Sequence, residues 1–308
     1  MSVKINGKIV VSNSLRPYIV TREASKLGSV GMIIISDSPF GTIRKLVTQM
    51  GYEDNEDLGK FGSSIPGVII NMSDGNELLS IMSSSKTTAI IEHDSTRQIK
   101  KSKNIIGCIE GSSDSKEEIV IGAHYDTQEG IKGAWDNATG CASLLEFCRL
   151  FSENRPCRSI TFCAFGCEEI GLFGSTYYVN KRKEKLKDIV SYINLDSTSS
   201  DTSYIRRVLA SENVLKLVLK IISDNSKWKV NQYRPFSKID HEQDSAEFFK
   251  NGVNCIWISE EGNPYFHTVF DNLDSINFSK LEESAGLSFL ISYYLANAKL
   301  IDLKKFNK

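Results

Sequence analysis

The chain has 308 residues, with 37 basic and 38 acidic side chains, a net charge of −1 and an apolar fraction of 41%. That length allows one large domain or two modest ones with a real core, and the balanced charge gives no electrostatic reason to expect nucleic acid or an anionic membrane as partner. The opening MSVKINGKIVVSNS lacks the apolar stretch of a signal peptide, and no run approaches the about 18 apolar residues that span a bilayer, so neither leader nor membrane segment is expected.

In chain order, the runs KIVVS, VGMIIIS and GVIINM predict short strands between polar, glycine-bearing turns. Helices are predicted around residues 21–27 and 75–82, giving a small α+β module. Residues 84–86 and 94–103 are polar, and the basic tract RQIKKSK at 97–103 reads as a solvated connector. The expected division is therefore 1–100 and 101–308. From residue 103 the pattern becomes strand, turn, helix. NIIGCIE and EEIVIGA are strands parted by the turn GSSDSK, and residues 138–153 carry apolar side chains at 141, 144, 145, 148 and 151, the spacing of one helix face. RSITFCAFG is a continuous apolar run suited to a strand buried on both faces of a parallel sheet, and IVSYINL and NCIWIS repeat that character. A last helix over 281–300 puts Leu287, Leu290, Ile291 and Tyr294 on one side. The predicted fold class is α/β, a mixed, mostly parallel central sheet with helices on both faces.

Seven cysteines, an odd number with no CxxC pair, sit mostly in apolar runs. They predict reduced, buried thiols, a cytoplasmic setting and no cysteine metal site.

The informative feature is what ends each buried strand. EEIVIGA runs into His124, with Asp126 two residues on; RSITFCAFGC into Glu168 and Glu169; IVSYINL into Asp196; and NCIWIS leads to a loop bearing His267. In open α/β sheets ligands bind at the carboxyl ends of strands, and imidazole with carboxylate suits zinc and its first-row neighbours. Each residue alone has a plainer reading. A loop histidine can simply be hydrogen-bonded, Glu168–Glu169 can complement a helix dipole, and Asp196 or Asp136 can serve as a turn or cap. Their joint placement carries the metal reading.

The segments VIGAHYDT (120–127), GAWDNATGCASLLE (133–146), FCAFGCEEIGLFGSTYYV (162–179), INLDS (193–197) and PYFHTVFDNLDSI (264–276) resemble the M28 family of co-catalytic zinc peptidases over about residues 104–300. The resemblance implies a two-metal exopeptidase, most readily an aminopeptidase on short peptides, with two Zn2+ (or Co2+/Mn2+) per chain. It assigns His124 and Asp196 to one metal, Glu169 and His267 to the other, and Asp136 as bridge. By the same resemblance Asp126 orients His124, Glu168 is the general base, and the Asp136–Asn137 peptide is cis. INGKIVVS, EASKLGSVGMIIISDS and SIPGVIINMSDGNELLSIM are similar to the protease-associated module that flanks the cleft in such peptidases. Homo-oligomerisation is a further expectation of the family.

Three departures stand out. The family usually has a catalytic-domain helix ahead of the protease-associated segment. Phe266 stands where relatives carry a tyrosine hydroxyl for the oxyanion, and Tyr265 on an extended segment would point the other way. Ser245 occupies a position where histidine is common, with His241 nearby and given no role. Two other readings stay open. One is a carboxypeptidase or dipeptidase, with Arg206, Arg207, Arg234 or Lys238 to hold a terminal carboxylate; the other is a binding homologue with weakened chemistry.

Overall fold

A computed structural model of the chain describes residues 4–14, 16–38, 41–45, 65–94, 100–202, 205–225, 230–237 and 242–298. Lys238, His241 and the last residues of the closing helix expected over 281–300 lie outside them.

The N-terminal residues build a parallel sheet of β1 (Ile9–Ser12), β2 (Gly31–Ile35) and β3 (Gly67–Ile70) in that order. α1 (Pro17–Lys26) crosses between β1 and β2, and α2 (Met72–Ser84) follows β3. Both helices start earlier than their apolar spacing indicated. Proline is pre-organised for the first helical position of α1, and the Asn71 side chain caps α2 by accepting from the Asp74 N–H. Ala24, Met32, Ile34 and Ile65 form the small core.

The larger sheet follows from alternation along its strands. On β5 (Glu118–His124), Ile119, Ile121 and Ala123 face one layer and Val120 the other. The first layer holds α3 (Thr139–Glu153), α5 (Glu212–Asp224) and α7 (Phe278–Asn297), through Phe147, Phe151, Leu217, Val218, Leu287 and Ile291. The second holds α4 (Phe173–Lys181) and α6 (Ser245–Lys250), where Tyr178 and Phe248 pack on Phe165 and Tyr192. The remaining strands are β4 (Ile105–Ile109), β6 (Ser159–Phe165), β7 (Ile189–Leu195), β8 (Ile205–Ala210), β9 (Gln232–Pro235) and β10 (Cys255–Glu261), and the order is β4-β6-β5-β7-β10-β8-β9. The central four, β6, β5, β7 and β10, are parallel, while β4 and β8 pair antiparallel to their inner neighbours. The sheet is thus the mixed, mostly parallel one the sequence predicted, with helices on both faces. The parts built around the two sheets meet at Glu242, which accepts from the Tyr18 hydroxyl at 2.8 Å and pairs with Arg16 at 3.0 Å, and at residues 44–45, considered below. No helix among the described residues is long and apolar enough to cross a membrane.

Candidate metal centre

Because β6, β5, β7 and β10 are neighbours and parallel, their carboxyl ends lie along one edge of the sheet. His124 is the last residue of β5, and Asp196 follows β7. Glu168 and Glu169 follow β6 through Cys167, whose φ is +61°. They lie in the loop before α4, with Glu169 four residues short of the helix, so the helix-start reading of this pair does not hold. Asp136 sits in the turn Ala134–Ala138 before α3, with non-helical dihedrals and a cis bond to Asn137, as expected. Gly133 is required there: its φ is +62° and a Cβ would come within 2.5 Å of the Asp136 carbonyl. His267 follows β10 with φ +57°.

These residues converge. His124 Nε2 lies 3.0 Å from Asp136 Oδ1 and 3.4 Å from Asp196 Oδ1. His267 Nε2 lies 3.0 Å from Asp136 Oδ2 and 3.0 Å from Glu169 Oε2. Asp136 therefore stands between the two imidazoles, one oxygen toward each. Glu168 completes a second group with His124 and Asp196 whose ligand atoms fall within 4.8 Å of one another.

The surroundings aim these side chains. His124 Nδ1 faces the Asp126 carbonyl oxygen at 3.0 Å, which turns Nε2 inward. The expected role of the Asp126 carboxylate needs correcting: it is 3.8 Å from that nitrogen and instead accepts the N–H groups of Glu168 at 3.0 Å and Glu169 at 3.2 Å. The reason is local. Just past the end of β5 the backbone carbonyl of Asp126 already satisfies the ring, leaving the side chain to cross to two N–H groups that have no strand partner. Gln128 Nε2 donates to Glu169 Oε2 at 2.9 Å, and Trp257 Nε1 to the Asp196 carbonyl at 3.0 Å.

Two buried carboxylates were given no role on sequence. Asp271 accepts from the backbone N–H of Trp135 at 2.7 Å and of Asp136 at 3.1 Å, fixing the turn that carries Asp136. Its only signal was an acidic residue in the otherwise aromatic stretch PYFHTVFDN. Asp244 is 1% exposed, and burial raises its carboxyl to about 7. Segment 264–267 forms a turn rather than the extended chain expected, so Tyr265 packs on Phe270 and Phe266 on Trp135. Ser245 is fully buried at the start of α6.

The cluster concentrates acidic groups. Asp136, Glu168, Glu169, Asp196 and Asp244 are all buried around two imidazoles. Burial pushes Glu168 well above the usual carboxylate range, opposed by His124, and raises Glu169 with help from Asp136. Burial works against a charged His267, but Asp136 and Glu169 outweigh it and lift the imidazole to about 9. For His124 burial is likewise outweighed, here by Glu168 and Asp196, and its value is raised. Asp136 is held below the usual range, because the two histidines outweigh its burial. With protons alone, the cluster keeps its histidines charged and some carboxyls neutral. Divalent ions would let every carboxylate ionise, and Glu169 Oε1, buried without a hydrogen-bond partner, offers a further ligand atom. The donor set of imidazole and carboxylate therefore fits a metal.

The sequence pattern of peptidase family M28 matches residues 104–290, and the chain belongs to that family. It is similar to aminopeptidase YwaD of Bacillus subtilis (strain 168), 31% identical over 198 residues covering 60% of this chain and 43% of that protein. It also resembles an aminopeptidase of Pseudomonas aeruginosa (strain UCBPP-PA14), 27% identical over 60% of this chain and 40% of the relative. The chain thus spans less than half the length of these curated relatives. Among solved structures, a zinc aminopeptidase from Bacillus subtilis superposes with a TM-score of 0.71 at 22% identity, covering 96% of this chain and 71% of that one. The aminopeptidase from Aneurinibacillus sp. strain AM-1 gives 0.68 at 24%, with the same coverage of 96% and 71%. At such identities the likeness establishes the fold alone.

Proposed function

We propose that the chain is a two-zinc exopeptidase, an aminopeptidase acting on short peptides. The observation that carries this is Asp136 with one oxygen 3.0 Å from each of two imidazoles, and Glu168 beside them. His124 and Asp196 would hold one ion, Glu169 and His267 the other, and Asp136 both. Ions so placed supply Lewis-acid polarisation of the scissile carbonyl and a water made acidic enough to attack at neutral pH. Asp126 holds the backbone of Glu168 and Glu169, which sets where both side chains start from. Glu168, ionised once cations offset the charge around it, would take the proton of the attacking water and deliver it to the leaving amine. The first hundred residues are read as a protease-associated-like module beside this edge of the sheet.

The carboxypeptidase reading needs cations to hold a terminal carboxylate. Arg206 is already paired with Glu260 at 3.3 Å and Glu283 at 3.1 Å, and Arg207 with Glu261 while lying over Trp257. Arg234 donates to the Pro235 carbonyl at 3.2 Å, and Lys238 lies outside the described residues, so the pairing of Arg206 and Arg207 weakens the carboxypeptidase reading at those two positions. Zinc-loaded chain should release N-terminal residues from C-amidated peptides and leave N-blocked ones intact. Cleavage of N-blocked peptides only would support the carboxypeptidase, and cleavage of neither at two zinc per chain would refute the enzyme assignment.

A further inference from the structure

His267 is delivered by a turn six residues beyond the end of β10, and its backbone is left-handed. The peptide groups on both of its sides are nevertheless held, and the holder comes from the N-terminal module. The Arg44 guanidinium donates from Nη1 to the Phe266 carbonyl, and the Lys45 N–H donates to the His267 carbonyl at 2.8 Å. Arg44 is 6% exposed. Its Nε is fixed by Asp37 Oδ1 at 2.8 Å, and its own N–H donates to Ser36 Oγ at 2.9 Å, at the end of β2. The same guanidinium lies 5.4 Å from the centre of the Phe266 ring, which packs edge-on against Trp135 in the Asp136 turn.

From this geometry we infer that Arg44 is a positioning residue for the metal centre: anchored by Asp37, it clamps the backbone at His267 and so makes the N-terminal sheet a structural part of the Glu169–His267 metal position. A buried arginine that joins Asp37 to the Phe266 carbonyl has little to do in a module that merely shades a cleft. The inference rests on the two-metal reading. It assigns the coupling to one metal and leaves the His124–Asp196 position untouched, because no residue of the N-terminal module contacts that pair among the described hydrogen bonds. Groups that orient metal ligands from behind typically cost 10–100-fold in metal affinity when removed.

The test is a cobalt and zinc titration of the full chain, followed by the visible absorption of bound cobalt and by competition with a chelator, for wild type, Arg44→Met, Asp37→Asn and Tyr18→Phe. Tyr18→Phe removes one bond to Glu242, which also pairs with Arg16 at 3.0 Å, and controls for loosening of the module in general. The expected result is two ions in wild type and Tyr18→Phe. In Arg44→Met one ion keeps its affinity, the second is bound at least tenfold more weakly, and kcat falls more than KM rises. Equal affinity for both ions in Arg44→Met, or an equal loss in Tyr18→Phe, overturns the inference and leaves the metal centre standing. If Arg44→Met does not fold, Asp37→Asn decides: a weakened second ion supports the clamp, and wild-type affinity overturns it. Failure of the wild type itself to take up metal sinks the metal reading and this inference with it.

Discussion

Replacing Asp271 with alanine separates its two physical effects. The carboxylate satisfies the N–H groups of Trp135 and Asp136 at 2.7 and 3.1 Å in a buried place. Leaving both unpaired costs about 1–3 kcal/mol each, so about 4 kcal/mol together. Against this, burial lifts the Asp271 carboxyl to about 6 despite the two N–H groups, so keeping it ionised is itself costly. A raised carboxyl favours the protonated folded state, so that contribution to stability is present at low pH and lost as pH rises from about 4 to about 6. At about 1.4 kcal/mol per unit, alanine relieves about 3 kcal/mol at pH 8 and about 1.6 kcal/mol at pH 5. The net cost of Asp271→Ala should then be about 1 kcal/mol at pH 8 and about 2.5 kcal/mol at pH 5. Urea unfolding of the chelator-stripped protein at the two pH values measures it. A cost that is larger at pH 8 than at pH 5 would refute the reasoning.

Glu168→Gln should lower kcat by about 10²–10⁴ while zinc content stays at the wild-type value, since the group handles a proton rather than a ligand bond; a variant that keeps its rate removes Glu168 from the chemistry. Gly140→Ala would place a Cβ 2.2 Å from the Leu195 carbonyl and 2.3 Å from Asn137 Oδ1, against backbone on the strand that leads to Asp196. It should cost about 1–3 kcal/mol in urea unfolding and weaken zinc uptake, and a silent substitution would show that α3 can draw back from β7. In chelator-stripped protein the raised values of His124, His267, Glu168 and Glu169 all mean protons taken up on folding. The histidine contribution is fully present below about 6.5 and is lost as pH rises through about 9. The melting temperature of the stripped chain should therefore fall between pH 6.5 and 9.5, with zinc-loaded chain falling less because metal replaces those protons. A stripped chain that gains stability over that interval would contradict the charge assignment.

What was legible in the sequence is what the sheet dictates. Apolar runs long enough to be buried on both faces marked β5, β6, β7 and β10, and a parallel arrangement puts whatever follows them on one edge. That brought His124, Glu168, Glu169, Asp196 and His267 to one edge, while Asp136, in a turn ahead of α3, was found only through the family motif GAWDNATG. Elements without such a signature were missed. β8 carries Arg206 and Arg207 near its start, whose charges hide its strand character until their partners Glu260 and Glu261 on β10 are known. α6 has only six residues, too few for periodicity to show. The groups that fix the site were also out of reach, because they bind backbone N–H and carbonyl groups across long separations: Asp271 to residues 135 and 136, and Arg44 to residue 266. A side chain that bonds to backbone leaves no complementary residue type to recognise.

The same fact explains how the Phe266 departure is accommodated. Its ring is held between the Trp135 ring at 5.7 Å and the Arg44 guanidinium at 5.4 Å, with the His267 ring at 3.7 Å. In that place an aromatic face serves the loop, and a donor toward the developing oxyanion has to come from another group. Asp126, Asp271 and Arg44 then form a consistent set. Each grips the backbone of a turn carrying a metal-facing residue, namely Glu168–Glu169, Asp136 and His267. Gripping the peptide fixes where a ligand's Cα lies while leaving its side chain able to adjust when protons give way to cations. Damage to these three residues should therefore loosen metal binding well before it unfolds the sheet, whose core at Ile121, Ile193 and Ile256 touches none of them.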